Sequence, residues 1–168
     1  RKDVDNDWLY DRCREVEADP DGFLDLWARD HYKSTIITFA KTIQDILNDS
    51  GVTIGIFSHT RPIAKGFLDQ IKREFETNTF LQNLFPEILY KNPESEAPKW
   101  SLDGGIIVKR TSNPKEATIE AWGLVDAQPV SKHFKRLHYD DIVVQASVNT
   151  PEMIEKTMTA LEQSYNLG

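Results

Sequence analysis

Val52-Thr53-Ile54-Gly55-Ile56-Phe57-Ser58 decides the fold. β-branched and aromatic residues fill this run, and it reads as a buried strand. Asn48-Asp49-Ser50-Gly51 stops the segment before it. That segment, Ser34 to Leu47, places Ile36, Ile37, Phe39, Ala40, Ile43, Ile46 and Leu47 at helical spacing. Pro62 to Phe75 follows as a second helix, with proline near its first turn. Upstream, Val4 to Glu17 has a helical spacing, Asp19 to Gly22 is a turn, Phe23 to Trp27 is a strand candidate and Ala28 to Tyr32 is a loop. Downstream, Asn78 to Phe85 predicts a short helix stopped by Pro86, and Asn92 to Pro98 a polar loop. Ile106 to Lys109 and Thr118 to Leu124 read as strands, separated by a turn at Ser112-Asn113-Pro114. Leu137-His138-Tyr139 is a further strand, ending at Asp140-Asp141. Thr150 caps a last helix that has Pro151 in its first position.

Strands alternating with helices predict an α/β domain of three layers: a mostly parallel sheet with helices on both faces. The Ile106–Leu124 stretch adds an antiparallel hairpin at one edge. The 168 residues, 39% of them apolar, suit one domain with one core. A net charge of −7 excludes a surface that is basic overall, so any duplex contact must come from local patches or another domain. Lys132-His133-Phe134-Lys135-Arg136 and Lys109-Arg110 are the small basic clusters. A lone Cys13 excludes a disulfide framework and a thiolate metal site. The apolar runs are too short to span a bilayer, and no charged-then-apolar leader follows Arg1, so cytoplasm is the expected compartment.

Three stretches carry chemistry together. Arg29-Asp30-His31-Tyr32-Lys33-Ser34-Thr35 joins a strand candidate to a helix. Backbone N–H groups at a helix start face an anion, and the helix dipole favours negative charge there. Lys33 can reach the outer phosphates of a nucleotide, and the Ser34 hydroxyl can ligate magnesium. The standard phosphate loop has glycine where Trp27 and Tyr32 stand, which predicts a loop of different shape. Asp140 and Asp141 end a strand; the first suits a hard cation, and the second can orient or deprotonate water. Ile54 to Thr60 ends a core strand in small hydroxyl residues, which suits the side of a phosphate pocket.

In this order the three stretches resemble the ATPase domain of phage large terminase subunits, the motors that package DNA into capsids. Arg-x-His-x-Lys-Ser-Thr is similar to that family's variant Walker A, Ile54 to Thr60 with Ala64 to its following strand and helix, and Tyr139-Asp140-Asp141 to its Walker B. Trp122-Gly123-Leu124 and His133-Phe134 also sit where the family has related residues, and the resemblance covers about Tyr10 to Gly168. It implies a RecA-like P-loop core of the ASCE group spanning 23–168, with 1–22 as a helical lead-in. It implies ATP and Mg2+ as ligands, with Ala28, Arg29, Asp30, His31, Tyr32, Lys33, Ser34 and Thr35 around the nucleotide. Ser34 and Asp140 would hold the metal; Lys33, Arg29 and Asp141 would act in catalysis. Arg29 matches a basic residue that contacts the γ-phosphate in cis. It further implies double-stranded DNA, a portal and a small terminase subunit as partners, a homo-oligomeric ring, no membrane, and the host cytoplasm. The family's coupling motif and nuclease domain lie beyond Gly168, so the isolated chain is expected to turn over weakly. Asp141 stands where many members have Glu, Ala127 and Ser131 where glycine is expected, and Lys135 where an acid is common. A helicase-like P-loop ATPase and a non-hydrolysing docking module are the other readings of the same residues.

Overall fold

A computed structural model describes residues 5–18, 22, 24, 26, 27 and 31–168. Helix α1 spans Asp7–Ala18. Helix α2 has two parts: Ser34–Lys41 wound with wide π turns, then Thr42–Asn48 as ordinary α-helix. Strand β1 is Ile54–Ser58, buried at every residue. Helix α3 covers Arg61–Thr77 with Pro62 in its first turn, and α4 covers Thr79–Leu84 behind the Asn78 cap. Short elements follow: α5 at Pro93–Glu96, β2 at Trp100–Ser101 and β3 at Gly105–Ile106. Strands β4 (Ile119–Gly123) and β5 (Arg136–Tyr139) complete the sheet, and α6 (Pro151–Ser164) closes the fold.

The fold is mixed α/β around one five-stranded sheet of order β2-β3-β4-β1-β5. Its centre is parallel: β1 pairs with β4 on one side and β5 on the other. The β2–β3–β4 edge is antiparallel; the β3–β4 pairing is the hairpin expected there, but β3 stops at Ile106, short of the expected Lys109, and β2 was not expected. The strand expected over Phe23–Trp27 is not found: Leu24, Leu26 and Trp27 lie in no strand, and Leu24 and Leu26 are exposed. Phe23 and Asp25 lie outside the described residues. The loop expected over Asn92–Pro98 contains α5, because Pro93 pre-sets the first helical turn and the Asn92 carbonyl accepts the Ser95 and Glu96 N–H groups.

Strand alternation divides the core in two. Ile54 and Ile56 of β1 join Ile119 and Ala121 of β4 under Ile43 and Ile46 of α2 and Ala64, Leu68, Ile71 and Phe75 of α3. Phe57 faces the other way, with Phe134, Leu124 and Leu167, and with Ala160 and Leu161 of α6 against them. Gly55 permits this second cluster, since a Cβ there would meet the Phe134 and Phe57 rings at 2.9 Å.

Helix α2 is seated on β5 by polar contacts. Thr38, Thr42 and Asp45 are spaced four and three apart, one stripe of a helix, and all are buried. Asp140, His138 and Arg136 are spaced two apart, one face of a strand. They meet in antiparallel order. The Thr38 hydroxyl donates to Asp140 Oδ2 at 2.6 Å, Thr42 Oγ1 lies 2.8 Å from His138 Nδ1, and Arg136 Nη1 lies 3.3 Å from Asp45 Oδ2. The last is an ion pair by distance but lacks hydrogen-bond geometry.

Two predictions follow from this packing. Burial pushes the His138 imidazole down to about 4, although the Asp45 carboxylate pulls it upward. The unfolded value is 6.5, so unfolding takes up a proton between those two values and stability falls as pH falls through the window. Urea unfolding should lose about 3 kcal/mol there beyond what a His138→Gln variant loses. The second concerns Gly123, where a Cβ would lie 1.7 Å from Asp126 Oδ1 and 2.5 Å from the Arg61 nitrogen. Asp126 accepts the Arg61 N–H at 3.1 Å and so caps α3. Gly123→Ala should displace that cap and cost at least about 1 kcal/mol by the same measurement.

Candidate active site

The parallel strands β4, β1 and β5 end together, and their carboxyl ends hold Gly123, Ser58-His59 and Asp140-Asp141. Open parallel sheets place ligand crevices at such ends. The ladder fixes the neighbours: the Asp140 N–H donates to the Phe57 carbonyl at 2.9 Å, and the His59 N–H to the Asp141 carbonyl at 3.2 Å. β5 ends at Tyr139, so strict alternation no longer governs Asp141. Asp141 adopts a left-handed backbone, φ 50°, and is exposed, whereas Asp140 is 1% exposed.

Lys33 stands at the start of α2 and donates its ammonium to Asp140 Oδ1. The Asp140 carboxylate is thus held at one oxygen by Lys33 and at the other by Thr38. Sequence distance makes this contact informative, since 107 residues separate Lys33 from Asp140. A carboxylate this deeply buried is costly unless paired and hydrogen-bonded, and here it is both. Ser34 and Thr35 continue the helix from Lys33; Ser34 is half-buried and Thr35 exposed. Thr38, one turn after Ser34, supplies the hydroxyl that touches Asp140.

Before Lys33 the chain makes one left-handed step, Tyr32 at φ 62°. Tyr32 stands where the standard phosphate loop has glycine, and a non-glycine residue pays roughly 1–2 kcal/mol for that conformation. Tyr32 therefore takes a glycine-type conformation without being glycine. Ser131, another position where glycine is expected, does the same at φ 58°. His31 packs its ring against Trp8 at 5.8 Å, and Trp8 also meets Trp27 at 5.1 Å, so α1 braces this approach to the site. Ala28, Arg29 and Asp30 lie outside the described residues.

No family model and no curated protein matches this chain. The geometry stands alone. Sequence reasoning missed Thr38, Thr42 and Asp45, whose signal is a buried polar stripe on an otherwise apolar helix.

The donors at the carboxyl ends suit a hard cation. They are oxygens: the Asp140 carboxylate, with the Thr38 and Ser58 hydroxyls on the same face. Magnesium takes one or two protein carboxylates and completes its shell with water and substrate phosphates. No group of three or more His, Cys, Asp or Glu gathers as a metal cage among the described residues, and a magnesium–nucleotide site does not need one. Two grooves open elsewhere, one between α6 and residues 124–128 and one at the amino end of β5 beside Asp45, and neither is lined by Lys33 or Asp140.

The basic clusters are engaged within the chain. Lys132 pairs with Glu120 at 2.9 Å, Lys135 with Asp49 at 3.3 Å and Arg136 with Asp45. Lys109 donates to the Pro86 carbonyl, and Arg110 to those of Pro114 and Glu116.

Thr38→Val keeps the shape and removes a donor to a buried ionised oxygen. It should cost about 2 kcal/mol in urea unfolding, and an unchanged midpoint would show the contact to be idle.

Proposed function

We propose that this chain is an ATP-hydrolysing core of the RecA-like P-loop kind, from a viral DNA-packaging motor of the large-terminase type. The observation that carries the reading is the pairing of Lys33, at a helix start, with the buried Asp140 at the end of a central strand. A phosphate-binding lysine and a metal-binding aspartate must meet around one triphosphate, and these two meet. Without nucleotide, each neutralises the other. With nucleotide, Lys33, whose side chain is 27% exposed, would turn to the outer phosphates, and Asp140 would be the carboxylate that holds magnesium. Bound magnesium neutralises phosphate charge. Thr38 holds the other Asp140 oxygen throughout, so the carboxylate keeps its orientation. Amides at the start of α2 receive phosphate oxygens. Ser34 would add a hydroxyl to the metal and Asp141, solvent-facing and beside Asp140, would orient the attacking water; by the resemblance, Arg29 would supply a cation to the γ-phosphate. Double-stranded DNA, a portal, a small terminase subunit and a ring of like subunits in the host cytoplasm belong to the same proposal.

One observation favours a second reading. Both Asp140 oxygens are satisfied by the chain's own Lys33 and Thr38, the state expected of a non-hydrolysing docking module with a permanently closed site. Nucleotide binding separates the two readings. The motor reading requires that the chain bind an ATP analogue more tightly with Mg2+ than without. Lys33→Ala should weaken that binding about tenfold or more. Asp141→Asn should leave binding intact and lower turnover about 100-fold. Calorimetry and phosphate release check both, and a chain that binds no analogue belongs to the second reading.

A further inference from the structure

The Ser58 side chain is fully buried, and its hydroxyl has no hydrogen-bond partner among the described residues. Buried hydroxyls are normally satisfied, because an unpaired one loses its water without compensation. Its surroundings explain where a partner would come from. Phe57 and Tyr139 pair across β1 and β5 and stack their rings on the α6 side, at 5.5 Å between centroids. The next residues, Ser58 and Asp140, therefore turn to the opposite face, under α2 and α3. Asp140 meets Lys33 and Thr38 on that face. On the other flank Ser58 is in register with Gly123, which brings no side chain. The space over Gly123 is taken by Asp126, already engaged in capping α3. Ser58 thus lies next to Asp140 across the ladder, on the same sheet face, at the end of the strand that leads into α3.

We propose that Ser58 is a binding residue for the terminal phosphate of the nucleotide, donating its hydroxyl to a γ-phosphate oxygen. This rests on the ATPase reading above and adds to it a residue that recognises the triphosphate rather than the diphosphate. A hydroxyl is a suitable group. It is neutral, so it can wait unpaired beside Asp140 at lower cost than a charge, and it donates to phosphate oxygens that carry charge in the transition state.

The test is Ser58→Ala in the intact chain, with Mg2+, a non-hydrolysable ATP analogue and ADP titrated in parallel and the melting temperature recorded. Affinity for the analogue should fall about fivefold, affinity for ADP should stay unchanged, and kcat should fall about tenfold or more. The melting temperature should stay level or rise, since the substitution removes an unsatisfied polar atom. Ser58→Cys, a weaker donor of similar volume, should fall between the two. Equal losses for both nucleotides, a fall in melting temperature, or no change in analogue affinity overturns the assignment while leaving the ATPase reading standing. If the unmodified chain binds neither nucleotide, both are overturned.

Discussion

Asp140 cannot be both buried and alone. Its carboxylate lies below the end of the central sheet, where an uncompensated charge would cost several kcal/mol. The chain compensates it twice, with Lys33 and with Thr38, and both partners come from one helix that the sequence places about a hundred residues earlier. That requirement fixes how α2 lies on β5. Once Thr38 reaches Asp140, the helical period brings Thr42 to His138 and Asp45 to Arg136. The seam then delivers the helix start, with Lys33, to the carboxyl end of the sheet. A stability constraint and a candidate site are thus the same set of contacts.

The positive charge of the basic clusters is held within the chain. The chain carries −7 overall, and the cations of its small basic clusters are bound to carboxylates or carbonyls of the chain itself. Lys33 differs from them in kind: its carboxylate partner is one that a divalent cation can take over. The π-wound first part of α2 sits at this point, a distortion often found at functional positions.

Much of the frame was legible because burial leaves a pattern. The β-branched run at Ile54–Ser58, the apolar spacing of α3, and Thr150-Pro151 ahead of α6 each announce their element through one dominant force or one cap. The Lys33 and Asp140 pairing was legible as a constellation, since both residue types sit where a helix starts and a strand ends. Other features left no such trace. β2 is two residues long and owes its place to Trp100, whose indole N–H donates to Glu76 at 2.8 Å, a contact no periodicity encodes. The apolar run at Phe23–Trp27 looked like a strand, yet Leu24 and Leu26 are exposed: apolar residues alone supply no strand to pair with. Thr38, Thr42 and Asp45 were passed over because polar residues on an apolar helix are usually read as its wet face. Here that face is buried against an equally polar strand face.

A crystal structure of the chain with a non-hydrolysable ATP analogue and Mg2+ tests the central claim most directly. The account predicts that the Lys33 ammonium leaves Asp140 for the outer phosphates, that the metal takes its place at the Asp140 oxygen, and that Thr38 stays where it is. A nucleotide bound elsewhere, or a Lys33 still locked to Asp140 at saturating analogue, would contradict it.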